Sequence, residues 1–272
     1  MDDVLNLYKP IGLTPLQLLN QIRSVDHHYQ HSKLTYVGRL DPMAHGVILV
    51  LADQAISNTK IYKSLSKTYQ VNAILGVQTD TYDTLGIVNH MVNYIPDFPN
   101  LTELTDWLRS QLGWHNQDYP PYSSAKVNGR ALFEWARMGK LKTINIPSHP
   151  INIFQITNVS VEPVFLTNII DKILSRISLV QGDFRQSAII DSWKHLQIEA
   201  NQIMTLRLSC KISCSSGTYI RSIIHEMGEY FGCGAIVYDL LRTQVGNYTL
   251  NNSRRLDESS PKSNYISNQS TD

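Results

Sequence analysis

The chain has 272 residues, 42% of them hydrophobic and 17% charged, which allows a substantial buried core and argues against general disorder. Its formal net charge is +1, and no apolar stretch approaches the ~18 residues of a membrane-spanning helix, so we expect no membrane association. Residues 1–3 lack the apolar region of a signal peptide, and the cytoplasm is the expected location.

The first predicted helix follows the string KPIG at residues 9–12. Thr14 is a suitable N-cap, Pro15 suits the first helical position, and Gln17 lies where a capping box places its third residue. Apolar side chains then recur at helical spacing up to residue 25. A helix is therefore predicted from residue 15 onward.

One carboxylate lies in a loop bounded by glycine and proline. Residues 38–46 read GRLDPMAHG, with Asp41 as the acid, and an apolar run over residues 47–51 follows directly. Such a run is typical of a buried strand, and catalytic groups are commonly held in loops at the ends of rigid elements. Asp41 is therefore the leading catalytic candidate. We interpret His45, four residues later, as an exposed loop residue.

Alternating patterns predict two half-buried strands. In residues 67–75, Tyr69 and every second residue after it are apolar or aromatic, and residues 206–214 repeat the alternation. Strands with one apolar and one polar face are typical of antiparallel pairing. The sequence therefore predicts a mixed, largely antiparallel central sheet.

Helices are predicted between and after these strands. Helical periodicity covers residues 101–112 and 130–140. An apolar stripe after residue 218 predicts a further helix, with Arg221 in its first turn. Helices and strands thus alternate irregularly, and the predicted class is α+β, with helices flanking the sheet.

We expect one catalytic domain over residues 1–250. Within it, residues 161–201 have weak periodicity, and we interpret them as a peripheral helical or mixed insertion. Residues 251–272 are rich in serine, asparagine and charge, a composition typical of a disordered tail.

The near-neutral net charge hides three locally basic segments. Residues 56–75 contain three lysines and no acid, residues 203–224 contain three basic residues and no acid, and residues 119–145 contain five basic residues and one acid. These segments would form a cationic face if the fold brings them together, whereas scattered solvated charges are the alternative.

Four strings occur in order: KPIG from residue 9, GRLDPMAHGV from residue 38, KTYQVNAILGVQTDTYD from residue 67 and CSSGTYIRSIIHEMG from residue 214. Together with YPPYSSAKVNGRALFEWARMG from residue 119, they resemble the pseudouridine synthases, and more narrowly the bacterial TruB family. The resemblance covers about residues 4–248. It implies the pseudouridine synthase fold and isomerisation of uridine 55 in the T-loop of tRNA. It also implies the T-arm of tRNA as partner, with no cofactor and no metal.

The resemblance further implies roles for individual residues. Asp41 matches the essential aspartate, Tyr69 the aromatic residue on the flipped base, and Arg221 the cation paired with the aspartate. The residues assigned to substrate binding are Tyr219, Leu240, Tyr36, Arg39, Lys9 and Asp83. A carboxylate suits this chemistry either as nucleophile at C1′ or as base at C2′ of the ribose, and both routes stay open. We expect the Arg221 guanidinium to hold Asp41 through a bidentate contact.

Two features depart from the family's pattern. The family has Gly-His-Thr-Gly before its Leu-Asp-Pro, where this chain has TYVG and then Arg39, so Tyr36 stands at the histidine position. The tyrosine ring could replace imidazole as a stacking wedge, and Arg39 could contact a phosphate or carboxylate. Many members also have a C-terminal PUA domain, whereas a short polar tail follows here, so we expect the catalytic domain to bind RNA alone.

Two alternative functions stay open. One is an RNA-binding or RNA-folding protein that keeps the fold without catalysis, which the intact Asp41, Tyr69 and Arg221 disfavour. The other is a glycosidic-bond hydrolase, for which no second carboxylate is identified. Three histidines in residues 26–33 could suggest a metal site, but a polar surface loop is the better interpretation. No heptad pattern demands self-association, and a monomer is expected.

Overall fold

Residues 3–92, 98–200 and 202–256 are described by the structure, a computed structural model. Helices and strands alternate irregularly in these ranges. The helices are α1 Pro15–Val25, α2 Thr59–Ser64, α3 Leu101–Ser110, α4 Leu132–Arg137, α5 Leu166–Ile177, α6 Gln186–Glu199 and α7 Ile220–Tyr230. The strands are β1 Val4–Lys9, β2 Leu34–Val37, β3 Ala44–Ala52, β4 Lys67–Leu75, β5 Val77–Thr79, β6 Val88–Met91, β7 Gly113–Asp118, β8 Lys126–Val127, β9 Arg130–Ala131, β10 Ser148–Phe165, β11 Met204–Cys214, β12 Ala235–Val245 and β13 Tyr248–Thr249.

One sheet of nine strands organises the fold. Its main path is β1-β3-β12-β4-β11-β10-β7, with β2 paired to β3 and β13 paired to β12. Strands β3 and β12 run parallel, whereas the other neighbouring pairs of this sheet are antiparallel. The prediction of an α+β fold with a mixed, largely antiparallel central sheet and flanking helices is confirmed.

Local sequence signals account for the start of α1. Thr14 and Gln17 form the expected capping box, in which the Thr14 backbone N–H donates to Gln17 Oε1 at 2.7 Å. Pro15 occupies the first turn, where its missing N–H leaves no hydrogen bond unmade. The buried stripe of the helix then packs against β3 in a core that includes Leu18 and Ile48.

Apolar cores cover both faces of the central sheet. On one face, α3 and α7 pack over β4 and β11, where Val71 and Leu208 are fully buried. On the other face, α5 and α6 pack against Ile236 of β12. Trp193, in α6, has no exposed surface. The sheet is therefore a shared wall between two cores, which fixes the direction of the side chains that it presents.

The interpretation of residues 161–201 as peripheral is wrong. This stretch contains the end of β10 and the helices α5 and α6, and the isoleucine face of α5 is buried against the sheet. Ile169, Ile170 and Ile173 are each less than 5% exposed. The weak overall periodicity arose because the stretch combines part of a strand with two helices.

The predicted disordered tail is anchored over its first residues. The Arg254 backbone O accepts a hydrogen bond from the Tyr8 N–H at 2.9 Å, and Arg254 Nη1 lies 2.7 Å from Asp26 Oδ2. The expectation of disorder is therefore wrong for residues 251–256, while residues 257–272 lie outside the described residues. None of the helices within the described ranges is long and apolar enough to cross a membrane.

Candidate active site

A cleft of about 1050 Å³ lies beside the edge where β3 and β12 meet. It is lined by residues far apart in the sequence, from the loop before β3, from β4, from the N-terminus of α7 and from residues 119–137. The site residues that the sequence analysis assigned and that line this cleft are Tyr36, Arg39, Asp41, Tyr69, Asp83, Tyr219, Arg221 and Leu240. The fold therefore brings together all but one of them.

Asp41 is presented by a turn that leads directly into β3. Its backbone oxygen accepts a hydrogen bond from the Ala44 N–H at 3.1 Å, and the parallel pairing of β3 with β12 sets Ala44 opposite Leu240. Gly46 has φ +107°, and any side chain there would collide with the backbone of Arg242. Glycine is thus required at position 46 because β3 and β12 approach each other closely there.

Arg221 is the cation beside Asp41. It lies in the first turn of α7, as predicted, and its Nε is 2.8 Å from Asp41 Oδ2. This is an ion pair through one nitrogen of the guanidinium. Nη1 donates to Thr81 O at 2.5 Å and Nη2 to Tyr122 O at 3.4 Å. The expected bidentate contact is therefore wrong, because backbone carbonyls hold both terminal nitrogens.

Asp83 adds a second carboxylate to this ion pair. Its Oδ2 is 3.7 Å from Arg221 Nε, and its side chain is 10% exposed, against 38% for Asp41. Its Oδ1 accepts hydrogen bonds from Thr81 Oγ1 at 2.7 Å and the Leu85 N–H at 2.9 Å. Asp83 therefore contacts the cation and its own turn, whereas Asp41 keeps an open side towards the cleft.

Burial and charge act against each other in this cluster. Burial raises the pKa of the Asp83 carboxyl, while Arg221 works in the opposite direction. Burial also works to lower the pKa of the Arg221 guanidinium, but Asp41 and Asp83 outweigh it, and that pKa lies above its ordinary value. Arg221 is therefore a permanent cation on the wall of the cleft.

Three further side chains flank the ion pair. Tyr69 is 7% exposed, and burial raises its pKa above 10 although Arg242 acts in the opposite direction, so the phenol is neutral at physiological pH. Tyr219 caps α7, and the Gln117 side chain binds its backbone N–H and C=O at 2.8 and 3.1 Å. Leu240 supplies an apolar surface. Tyr69 and Leu240 therefore present an aromatic and an aliphatic surface beside the ion pair.

The family model described as "TruB family pseudouridylate synthase (N terminal domain)" matches residues 26–176, more than half of the chain. The chain belongs to this TruB family. A tRNA pseudouridine synthase B of Clostridioides difficile is 30% identical over 95% of this chain and 70% of its own length. That of Blochmanniella pennsylvanica is 32% identical over 91% of this chain and 76% of its own length. This TruB-family protein is thus an enzyme that isomerises uridine.

Solved structures show the same fold. The Cbf5-Nop10-Gar1 complex contains a chain with a TM-score of 0.53 and 19% identity, matched over 90% of this chain and 49% of that one. An H/ACA RNP bound to a substrate RNA containing 2'-deoxyuridine gives a TM-score of 0.53 and 16% identity, with 93% and 50% covered. This TruB-family chain therefore spans about half the length of those solved chains, and the likeness establishes the pseudouridine synthase fold.

The two side chains before Asp41 that depart from the TruB pattern, Tyr36 and Arg39, lie on the wall of the cleft. Tyr36 is half-buried in β2, and Arg39 is exposed in the loop before Asp41. Thr35 and Val37, the neighbours of Tyr36 in β2, also line the cleft. The structure therefore places an aromatic ring and a free guanidinium beside the catalytic candidate.

Lys9 lies behind the cleft and not on its wall. It has no exposed surface, and its Nζ donates to the carbonyls of Pro10 at 2.9 Å, Leu13 at 2.7 Å and Pro42 at 3.4 Å. Burial lowers its pKa to about 7, although Asp41 acts in the opposite direction. Its assignment to substrate binding is therefore wrong, because the amine holds the Asp41 loop from the protein side.

Arg242 is the residue that the sequence analysis missed. It is 1% exposed, and it donates to Val47 O at 2.6 Å, Arg39 O at 3.1 Å and Gly38 O at 3.0 Å. It thus clamps the backbone immediately before Asp41. Its position could have been found, since it follows Leu240 by two residues in the strand β12 and two-residue spacing in a strand places side chains on one face.

His45 also differs from its prediction. It lies in β3 and is largely buried, with Nδ1 2.8 Å from the Tyr8 hydroxyl and Nε2 3.3 Å from Asp239 Oδ1. Arg176 of α5 contacts the same Asp239 oxygen at 2.9 Å. The expectation of an exposed loop residue is wrong, because β3 begins at Ala44, three residues before the apolar run over residues 47–51.

The charge on the cleft wall is strongly asymmetric. The basic residues that line it are Arg39, Lys63, Lys67, Arg137, Arg185, Arg221 and Arg242, and the acidic ones are Asp41, Asp83 and Asp183. Members of all three basic segments of the sequence are present. A concave surface with this excess of cations favours a polyanion such as RNA, whose phosphates it would attract.

Proposed function

We propose that this enzyme converts uridine 55 in the T-loop of tRNA to pseudouridine. The observation that carries the proposal is the ion pair of Asp41 and Arg221, at 2.8 Å, on the wall of a cationic cleft large enough for a flipped nucleotide and its neighbours. The tRNA pseudouridine synthases B named among its relatives support tRNA as the substrate.

Asp41 is the proposed catalytic group. Its side chain is 38% exposed while its cation is 5% exposed, so the carboxylate can reach a ribose without losing its counter-ion. Isomerisation breaks the bond from C1′ to N1 of uracil and forms a bond from C1′ to C5, releasing the C5 proton. A carboxylate serves this reaction as a nucleophile at C1′ or as a base at C2′, and the geometry of Asp41 suits both.

Base flipping explains the apolar part of the site. An extruded uracil loses its stacking in the RNA, at a cost of a few kcal/mol that the protein must offset. Tyr69 and Leu240 provide an aromatic and an aliphatic surface beside Asp41, and Tyr219 closes the neighbouring side. We assign these three residues to the flipped base, with Tyr36 and Arg39 contacting the RNA around it.

The T-arm is the proposed recognition element. Residues 119–137 supply Tyr119, Tyr122 and Arg137 to the cleft that the Asp41 loop also lines, so RNA in the cleft would contact both segments. We further propose that the protein acts as a monomer in the cytoplasm, where unmodified tRNA is available.

The test is site-specific conversion of an unmodified tRNA transcript. Purified protein should form pseudouridine at the T-loop uridine and at no other uridine, and a transcript with cytidine at that position should gain none. A transcript of the T-arm alone should also react. Modification elsewhere in the tRNA, or binding of the transcript with no conversion, would contradict the proposal.

A further inference from the structure

The segment that joins α5 to α6 reaches the catalytic cleft. Asp183, Phe184 and Arg185 of this joining segment, residues 178–185, line the wall. Arg185 sits immediately before α6 with φ +65°, a left-handed conformation that is uncommon for arginine. The left-handed turn at Arg185 thus precedes α6 and accompanies a side chain that lines the cleft.

Arg185 makes two well-defined contacts, one with a carboxylate and one with an aromatic ring. Its Nη1 and Nη2 lie 2.6 and 3.2 Å from the two oxygens of Asp80, a bidentate ion pair. Its guanidinium carbon is 4.3 Å from the centre of the Tyr122 ring, within the range of a cation–π contact. The side chain is 21% exposed, so solvent screens the pair only partly.

These two partners belong to the segments that hold Arg221. Thr81, adjacent to Asp80, accepts the hydrogen bond from Arg221 Nη1, and Tyr122 itself accepts that from Nη2. Asp80 Oδ1 also accepts from the Ile87 N–H at 2.9 Å, which closes the turn that contains Thr81. The Arg185 guanidinium therefore links the two chain segments whose backbone carbonyls bind Arg221.

The joining segment is itself fixed at both ends. Arg137 donates to Asp183 O at 2.7 Å and contacts its carboxylate at 3.2 Å. At the other end, Leu179 packs so closely on Gly12 that a Cβ on the glycine would lie 2.5 Å from Leu179 O. The Gly12 N–H donates to Pro42 O at 2.9 Å, next to Asp41. The joining segment is thus attached to residues 119–137 through Asp183, and to the Asp41 loop through Gly12.

We propose that Arg185 is a positioning residue for the reaction: it clamps the turn of Asp80 to Tyr122, and thereby holds the Thr81 and Tyr122 carbonyls that aim Arg221 at Asp41. The inference rests on the proposed function, because it assigns a role in uridine isomerisation. Arg185 acts through Arg221 and contacts neither the uracil nor the ribose. Its charge is already paired with Asp80, so its loss lowers the rate of the bound complex and changes RNA affinity little.

The experiment compares Arg185→Gln with the wild type under single-turnover conditions on an unmodified tRNA transcript. We expect the rate to fall about tenfold, as for a positioning contact that displaces a catalytic group without removing it. The dissociation constant for the RNA should stay within about twofold. Lys194→Gln is the matched control: it removes an exposed cation from α6, and it should react and bind like the wild type.

A double-mutant cycle separates positioning from general weakening of the fold. In an Arg221→Lys background the guanidinium that Arg185 helps to aim is absent, so adding Arg185→Gln should cost less than about twofold. Full multiplication of the two losses, an unchanged rate in Arg185→Gln, or an RNA dissociation constant that rises as much as the rate falls would each overturn the inference.

Two safeguards keep the outcomes distinct. If Arg185→Gln does not fold, Arg185→Lys keeps a cation beside Asp80 but lacks the fork and the flat group over Tyr122; it should lose about threefold in rate, and a wild-type rate would count against the clamp. A wild-type protein that leaves every tRNA uridine unmodified would refute the proposed function, whereas an active wild type with an equally active Arg185→Gln refutes only the clamp.

Discussion

Two buried arginines border the same cleft and do different things. Arg221 is 4% exposed and faces the carboxylates of Asp41 and Asp83, whereas Arg242 is 1% exposed and faces only backbone carbonyls in its hydrogen bonds. An arginine beside carboxylates determines the electrostatic environment of the groups that face the cleft. An arginine that binds backbone carbonyls fixes the conformation of the loop. The comparison separates the chemistry of the site from its scaffold.

Removing the scaffold arginine should have the largest effect. Arg242→Leu leaves three carbonyl acceptors without their donor: Val47 O, which is buried, and Arg39 O and Gly38 O, which are partly buried. At roughly 1–3 kcal/mol for each unsatisfied group, partly relieved by relaxation, we expect the free energy of unfolding to fall by about 4 kcal/mol. Urea unfolding followed by circular dichroism measures it. A variant as stable as the wild type would show that the clamp does not hold the loop.

Changing the arginine beside Asp41 should affect the rate more than the stability. Arg221→Lys keeps a charge near Asp41 but cannot also reach Thr81 O and Tyr122 O. We expect kcat to fall about 100-fold, equivalent to about 3 kcal/mol. The free energy of unfolding should fall by less than in Arg242→Leu, because two carbonyls lose their donor while the ammonium still faces the carboxylates. Arg207→Lys is the control, since Arg207 pairs with Glu162 away from the cleft. Equal losses of rate in both variants would remove the distinction between the two regions.

The substitution at the family's histidine position should have a smaller effect. Tyr36→Ala removes the half-buried ring from the cleft wall, and the loss of one base-stacking surface should raise KM about tenfold. Tyr36→His should stay within about threefold of the wild type, because imidazole is also a flat stacking group. Tyr230→Ala, at a site 71% exposed on α7, is the control. A KM for Tyr36→Ala equal to that of the wild type would contradict the stacking role.

Lys9 should make stability depend on pH. Burial lowers its pKa to about 7 from 10.5, so between these values the unfolded chain binds a proton that the folded protein has released. The free energy of unfolding therefore rises with pH in that window, by about 1 kcal/mol from pH 7 to 8. The difference between the wild type and Lys9→Met isolates this contribution from other titrating groups. A pH-independent difference would mean that Lys9 titrates normally.

Local signals made much of the fold predictable. The capping box of Thr14, the alternation in β4 and the stripe of α7 each depend on neighbours within a few residues, and each prediction agrees with the structure. Asp41, Tyr69 and Arg221 could be proposed together because each lies in a distinctive string. Their roles stay predictions, but their convergence on one cleft follows from the fold.

The errors concern residues whose surroundings come from distant parts of the chain. Lysine is usually exposed, so the burial of Lys9 under the Asp41 loop requires knowledge of Pro42 O. The single Nε contact of Arg221 depends on carbonyls 99 and 140 residues away in the sequence, which no local pattern records. The burial of the isoleucine face of α5 likewise depends on packing against β12, which is distant in the sequence.

Release of the C5 hydrogen from the target uridine tests the central claim most directly. With tRNA transcribed from uridine tritiated at C5, the wild type should release one tritium per tRNA, because the base is rejoined to the ribose through that carbon. Asp41→Asn, which preserves the shape of the side chain, should bind the same tRNA with similar affinity and release none. Tritium release by Asp41→Asn at the wild-type rate would contradict the assignment of Asp41 as the catalytic group.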